Sequence, residues 1–339
     1  MTGGPWLVTG ASGFLGRHVL RKVSAEFPDQ RVIALVRSLE EWERMDWTRG
    51  LPGVETLVGG VTAPERWAAD DRLARLGGIL HLAALVRHRR EDAKEVYFVN
   101  VEGTRAMVRI AARYRCRLVF VSTSGTVGCF KKPGETADED SPYCEREVAR
   151  WPYYDSKVRA EKEARRLAKE QGVELVIVRP PVLLGPLDHK FRSSNHVARF
   201  LNGKLPFLIR GGMHFADVRD AAAALVRVMG RGTVRPVYHL PGTICTIEEF
   251  YVMVAEAAEM PAPRRVIPYP PALWASRVLH ALRIRALPEP ALIEMASHYW
   301  AMRSRYSAEE LGYRSRPGME TVRDTVAWLR GDGVSSGSR

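Results

Sequence analysis

The chain is poor in cysteine, lacks long apolar runs and has too few acids to balance its bases. Only four cysteines occur in 339 residues, Cys116, Cys129, Cys144 and Cys245, with no Cys-x-x-Cys pair and no histidine at ligand spacing. This excludes a disulfide framework and a zinc module, and free thiols are expected with no metal. No segment approaches the roughly 18 consecutive apolar residues that a spanning helix needs. Met1 to Pro5 show no charged-then-apolar leader pattern, so the cytoplasm is the expected location. Internal repeats and low-complexity tracts are also missing.

The acids number 39 against 51 lysines and arginines, a net charge of +12. Such an excess gathers anions at the surface. Nucleic-acid binding would need a basic face within a recognisable module, and none is found. The densest run, Arg87-His88-Arg89-Arg90, is followed at once by Glu91 and Asp92. A membrane surface or a phosphorylated cofactor remains as the anion, and nucleic acid is not an expected partner.

What is present is an alternation of short apolar runs with helical patterns, which reads as a parallel α/β sheet. Strands are expected at Trp6–Thr9, Val32–Val36, Val54–Val58, Ile79–Leu82, Leu118–Val121 and Leu175–Val178. Their near-continuous hydrophobicity suits strands covered on both faces. Helices are expected at Leu15–Glu26, Val101–Arg113 and Tyr153–Gln171. After Arg179-Pro180-Pro181 the pattern changes to loops, proline joints and isolated helices. The predicted organisation is a doubly wound nucleotide-binding domain over 1–180, with 213–245 returning to it. A smaller, mostly helical substrate part covers 181–330, and a Gly/Ser-rich tail follows, expected to be disordered.

The strongest local signal is Thr9-Gly10-Ala11-Ser12-Gly13-Phe14-Leu15-Gly16, which leaves a strand and opens a helix. Gly10 permits the tight turn, Gly13 lets the backbone approach a pyrophosphate, and Gly16 lets the helix pack on the sheet. The N–H groups and dipole of the helix N-terminus favour phosphate. This is the context of a Rossmann-type dinucleotide site. At the end of the second strand an acid would bind the ribose 2′-OH and repel a 2′-phosphate. This chain has Arg37 there, 21 residues beyond Gly16, followed by Ser38. A guanidinium can pair with that phosphate, so NADP(H) is favoured over NAD(H). A solvated arginine at a strand end is the plainer explanation.

The second signal is Tyr153-Tyr154-Asp155-Ser156-Lys157 at a helix start. Spacing i, i+4 places Tyr153 and Lys157 on one face. A nearby ammonium is expected to lower the tyrosine pKa, and the pair could then move a proton at a substrate oxygen. Tyr154 is less well aligned with the lysine. Alone the pattern arises by chance in many helices. It gains weight from Ser122-Thr123-Ser124-Gly125 at the end of an earlier strand, where one hydroxyl could bond the reacting oxygen and the others cap a turn.

Taken together, these segments resemble an extended short-chain dehydrogenase/reductase. His81-Leu82-Ala83-Ala84, Asn100-Val101-Glu102-Gly103-Thr104, Arg179 to Pro186, Asp217-Val218-Arg219-Asp220 and Leu311-Gly312-Tyr313 extend the match over nearly the whole chain. The resemblance implies that Tyr153 is the acid/base and that Lys157 holds the nicotinamide ribose. It implies Thr123 as hydroxyl partner, with Ser124 as the alternative register. Leu82, Ala83 and Ala84 would line the dinucleotide cleft together with Gly10, Ser12, Gly13, Phe14, Leu15, Gly16, Arg37 and Ser38. The backbone from Pro180 to Leu183 would flank the nicotinamide, and Asn100 would stabilise a helix bend. Gly59-Gly60-Val61 departs from the pattern, because the family often has an aspartate there to contact adenine. The acidic stretch Glu135 to Pro142 has no assigned role.

Two chemistries share this apparatus. One is reduction of a ketone, as in relatives of dihydroflavonol reductases and 3β-hydroxysteroid dehydrogenases. The other is nucleotide-sugar epimerisation or dehydration with retained NAD, and Phe200 to Pro206 resembles hopanoid-associated sugar epimerases. Arg37 and the aromatic C-terminal part, with Trp274, Leu279 and Trp300, favour an NADP-dependent dehydrogenase/reductase acting on CH–OH groups of a mainly apolar substrate. A non-catalytic NADP-binding sensor is the alternative of another class. Pro271 to Arg285 sets Leu273, Trp274, Val278 and Leu282 near one stripe beside Arg277, Arg283 and Arg285. A pocket cover, a homodimer interface or a membrane surface would each explain it.

Overall fold

The computed structural model describes residues 3–205, 207–284 and 287–331. Pro206, Arg285 and the Gly/Ser-rich tail after Gly331 lie outside the described residues. The first half runs β1 (Trp6–Thr9), α1 (Phe14–Glu26), β2 (Val32–Val36), α2 (Leu39–Glu43), β3 (Val54–Val58), β4 (Gly78–His81), α3 (Ala93–Tyr97), α4 (Gly103–Tyr114) and β5 (Arg117–Val121). It continues with β6 (Cys129–Phe130), α5 (Glu145–Val148), α6 (Pro152–Gln171), β7 (Leu175–Arg179) and β8 (Val182–Leu184). The second half contains α7 (Asn195–Leu201), β9 (Leu208–Ile209), β10 (Gly212–Asp217), α8 (Val218–Gly230), β11 (Val237–His239) and β12 (Thr243–Thr246). It closes with α9 (Ile247–Ala257), β13 (Val266–Ile267), α10 (Tyr269–Ala281), α11 (Pro290–Ala296), β14 (Tyr299–Trp300), α12 (Ser307–Leu311) and α13 (Gly318–Arg330).

Seven parallel strands form one sheet in the order β11-β7-β5-β4-β1-β2-β3. The doubly wound fold expected from the alternating pattern is therefore present. Side chains alternate between two apolar layers. Val8, Val32 and Val119 face the layer shared with Val19, Leu20 and Leu225, while Leu7, Ile79 and Phe120 face that of Met107, Ile110 and Leu167. Burial on both sides explains the unbroken apolar runs of the central strands. At the sheet edge β3 departs from this, and Val58 is half exposed. Chain order reverses between β1 and β4, so the crevice beyond their C-terminal ends is where such a sheet binds ligands.

Two local features differ from the sequence reading. The helix expected from Val101 starts as a π turn, Phe98–Glu102, before α4. Asn100 is buried in that turn, and its amide bonds both backbone groups of Leu85 and the Ser156 hydroxyl. Those three bonds hold the register that a plain helix would not. Around the returning segment, α8 packs on α1 and β11 joins the large sheet. By contrast β10 and β12 form a small sheet with β8.

The acidic stretch left without a role is a clasp between the two halves. Asp138 and Asp140 pair with Arg305 at 2.6 and 2.8 Å, and the Ser304 hydroxyl donates to Glu139 at 2.5 Å. All four cysteines are free. Among the described residues no helix is long and apolar enough to cross a membrane.

Candidate active site

The turn after β1 is built so that only glycine fits. Gly10 has φ of +69°, and a Cβ there would lie 2.8 Å from the Ala83 nitrogen. A Cβ on Gly16 would come within 2.3 Å of the Gly10 carbonyl oxygen. Gly13 caps α1 with extended backbone, no side-chain cap and no acid in the first turn. The leading N–H groups of α1 thus face the cleft without a side-chain acceptor, a fit for an anionic pyrophosphate. Thr9 and His81 share a hydrogen bond of 2.8 Å, and the same hydroxyl accepts from the Ala83 N–H at 3.2 Å. His81 also bonds Thr104 at 3.1 Å, and burial holds the imidazole neutral with its pKa near 3. This relay fixes Leu82, Ala83 and Ala84 against the glycine turn.

A cleft of about 1590 Å³ extends from this turn along the ends of β1, β2, β4 and β5 into the C-terminal half. Gly10, Ser12, Gly13, Phe14, Leu15 and Gly16 line it, as do Leu82, Ala83, Ala84, Pro180 and Leu183. Arg37 lines it too, exposed at the end of β2 with no ion pair among the described residues. Ser38 does not line it. Its hydroxyl accepts from the Glu41 N–H at 3.2 Å and caps α2, which accounts for a serine at that position.

Thr123, Ser124, Tyr153 and Lys157 converge on the cleft beyond β5 and at the start of α6. The Thr123 hydroxyl interacts with the Tyr153 phenol and favours its ionisation. Ser124 sits one residue further, its N–H donating to Pro180 at 2.8 Å at the start of a short turn. The Lys157 ammonium donates to the Val121 carbonyl at 2.7 Å. One expectation is overturned here. Burial outweighs other influences and pushes the Tyr153 phenol up to about 12, although the spacing predicts a lowered value. Lys157 is itself desolvated, its pKa brought down to about 7, so it carries less charge to lend. Tyr154 stacks on Trp300 at 4.9 Å between ring centroids, and only a glycine at 125 leaves room for its ring.

Several lining residues carried no motif in the sequence. Trp47 lies under the Arg17 guanidinium, 4.6 Å from its carbon, with the indole N–H unpartnered among the described residues. Arg44 is nearby on the same wall of the cleft. At the departure from the family pattern, Gly60 accepts a hydrogen bond of 2.9 Å from Trp67, whose ring would clash with any side chain on Gly59. His88 packs edge-on to Tyr153. Of the three apolar residues that favour an apolar substrate in the sequence, Trp300 lines the cleft, whereas Leu279 and Trp274, the latter 69% exposed, do not.

The family model described as NAD dependent epimerase/dehydratase family matches residues 6–240. The chain belongs to that family. It is similar to sterol demethylase protein B of Methylococcus capsulatus, at 30% identity over 77% of each chain. It is also similar to cinnamoyl-CoA reductase 1 of Oryza sativa subsp. japonica, at 30% identity over 74% of each chain. The crystal structure of gox2253 superposes with a TM-score of 0.81 at 28% identity, covering 97% of this chain and 98% of that one. As a family member the protein is an NAD(P)-dependent enzyme of the extended short-chain dehydrogenase/reductase type.

Proposed function

We propose that the protein is an NADP(H)-dependent oxidoreductase that reversibly reduces a ketone to a secondary alcohol on a mainly apolar substrate. The observation that carries this reading is Arg37, a cation without a carboxylate partner at the strand end where the adenosine ribose belongs. A guanidinium there complements a 2′-phosphate, where an acid would repel it. The far part of the cleft supports an apolar substrate, with Phe207, Ile209, Met213, Ile293, Met295 and Trp300 on its walls. Two relatives bear names that mention a sterol and a reductase.

The cofactor would supply the hydride to the carbonyl carbon or accept it back. Tyr153 performs the proton half. With its pKa near 12 it is a phenol at neutral pH, and it donates its proton to the carbonyl oxygen as that oxygen gains charge. Thr123, whose hydroxyl favours ionisation of the phenol, stabilises the phenolate left behind, which then recovers a proton from solvent. Lys157 stands one helical turn from Tyr153, anchored to β5, and would hold a ribose hydroxyl of the bound cofactor.

A second reading, nucleotide-sugar epimerisation or dehydration, is favoured by Lys190 and Arg192, which line the same cleft and could hold a diphosphate. The test is turnover of NADPH with a panel of ketones, sterol ketones included, beside a panel of nucleotide sugars. Ketone-dependent oxidation of NADPH, lost at least 100-fold in Tyr153→Phe, is the expected result for a general acid. Sugar-nucleotide conversion without net cofactor consumption would replace the reading. Full biological activity of Tyr153→Phe would instead favour a non-catalytic sensor.

A further inference from the structure

Helix α10 is apolar on two opposite sides. Its inner side buries Ala272 and Leu273 against Ile209 and Ile293, with the Ser276 hydroxyl donating to the Pro288 carbonyl at 2.7 Å. Leu273 therefore belongs to the core and not to the stripe in which the sequence placed it. The outer side carries Trp274, Val278 and Leu282 at four-residue spacing, respectively 69, 38 and 64% exposed. Ile284 and Leu292 continue the patch, so five of the thirteen exposed large apolar side chains among the described residues fall between 274 and 292. A globular surface rarely leaves such a cluster uncovered without a partner.

Charge shows what kind of partner fits. From Met260 to Pro288 the sequence holds no aspartate or glutamate and five arginines. Arg283 is exposed beside Leu282 with no ion pair among the described residues, and Arg277 is shared with Glu294 at 2.7 Å. A two-fold contact through this face would bring Arg283 towards its own copy, and Met260 to Pro288 offer no carboxylate to pair with it. An anionic bilayer surface takes both components, the apolar side chains into the acyl boundary and the guanidinium groups among the headgroups.

The patch is continuous with the cleft. His280, Leu287, Pro288 and Leu292 line the cleft, and Leu292 is also 40% exposed within the patch. We propose that the outer side of α10 and the following turn form a membrane-surface docking site for anionic lipid, placed at the rim of the substrate cleft. An apolar substrate could then pass from bilayer to cleft without crossing water. That consequence rests on the apolar-substrate reading above; the docking itself does not.

The test is flotation of the full-length protein with vesicles of phosphatidylcholine alone and with equal parts phosphatidylglycerol, at low salt and in 0.5 M NaCl (~3 Å screening length at 1 M). Flotation with the anionic vesicles, weakened by salt, is expected. Arg283→Ala should reduce binding about fivefold, the effect of one basic residue near an anionic surface. Trp274→Ser/Leu282→Ser should abolish flotation while leaving NADPH binding and thermal stability at wild-type values. Wild-type protein that stays unbound, or a double variant that floats as well as wild type, overturns the proposal. A dimer that the double variant converts to monomer would give the face to a second copy instead.

Discussion

The ammonium of Lys157 donates to the Val121 carbonyl at 2.7 Å and lies 4.4 Å from the centroid of the Phe120 ring. One neighbour orients the charge and the other shares it, but neither replaces its lost water. Its pKa is held near 7, against an ordinary value of 10.5.

The unfolded chain binds this proton more readily than the folded one. Folding is therefore penalised at pH values below about 7, and the penalty fades as pH rises from there towards 10.5. In Lys157→Met the titrating group is gone. The melting temperature of wild type minus that of the variant should rise between pH 6 and pH 9. Thermal unfolding of both proteins at the two pH values reads this directly, and a constant difference would mean that the ammonium is not desolvated.

One turn further along α6, Glu161 pairs with Arg179 at 2.5 Å, both fully enclosed. Tyr143 and Thr126 also donate to this carboxylate, which stays ionised despite burial because the guanidinium faces it. Arg179→Met would leave a buried carboxylate without its cation, at a cost of about 3 to 5 kcal/mol. Adding Glu161→Gln should recover part of that loss. Chemical denaturation of the single and double variants checks it, and additive losses would contradict the pairing.

Arg37→Glu places an acid where the 2′-phosphate is read. NADPH affinity should fall about 10- to 100-fold, the range for loss of hydrogen bonds to a charged group, while NADH affinity holds or improves. Calorimetric titration with each cofactor measures both. Equal loss for the two would show that Arg37 does not read the phosphate.

The sheet and the glycine turn were legible in the sequence because each rests on short-range rules. Apolar runs mark doubly covered strands, and Gly10 and Gly16 occupy positions where a Cβ has no space. That Tyr153 and Lys157 share one face at the cleft was legible from helical spacing read together with the hydroxyl-bearing strand end at Ser122 to Gly125. Their ionisation was not, since it depends on burial by β5 and the C-terminal half, which spacing does not encode. Ser38 was read as a cofactor contact when its hydroxyl serves a helix cap, because both roles favour serine after a strand. Trp47 and the clasp from Asp138 to Asp140 were invisible because each meets its partners across a fold-dependent distance. The same holds for His88, hidden within a basic run that reads as solvated surface.

His88 sits with its ring centroid 5.8 Å from that of Tyr153 and 5.7 Å from that of Tyr154. Its Nδ1 is buried without a partner among the described residues, and burial brings its pKa to about 4. At neutral pH the imidazole is therefore uncharged, and because His88 lines the cleft, its unpartnered nitrogen is expected to bond a substrate group once substrate is seated. His88→Phe keeps the ring packing and removes that nitrogen. KM for the ketone should rise up to about tenfold, the effect of one neutral hydrogen bond, while NADPH affinity is unchanged. A group titrating near pH 4 adds no limb between pH 5 and 8, so the pH profile of kcat/KM there should keep its shape in the variant. Steady-state kinetics across that range decide the matter. An unchanged KM would reduce His88 to a packing element, and a reshaped profile would make it a proton carrier.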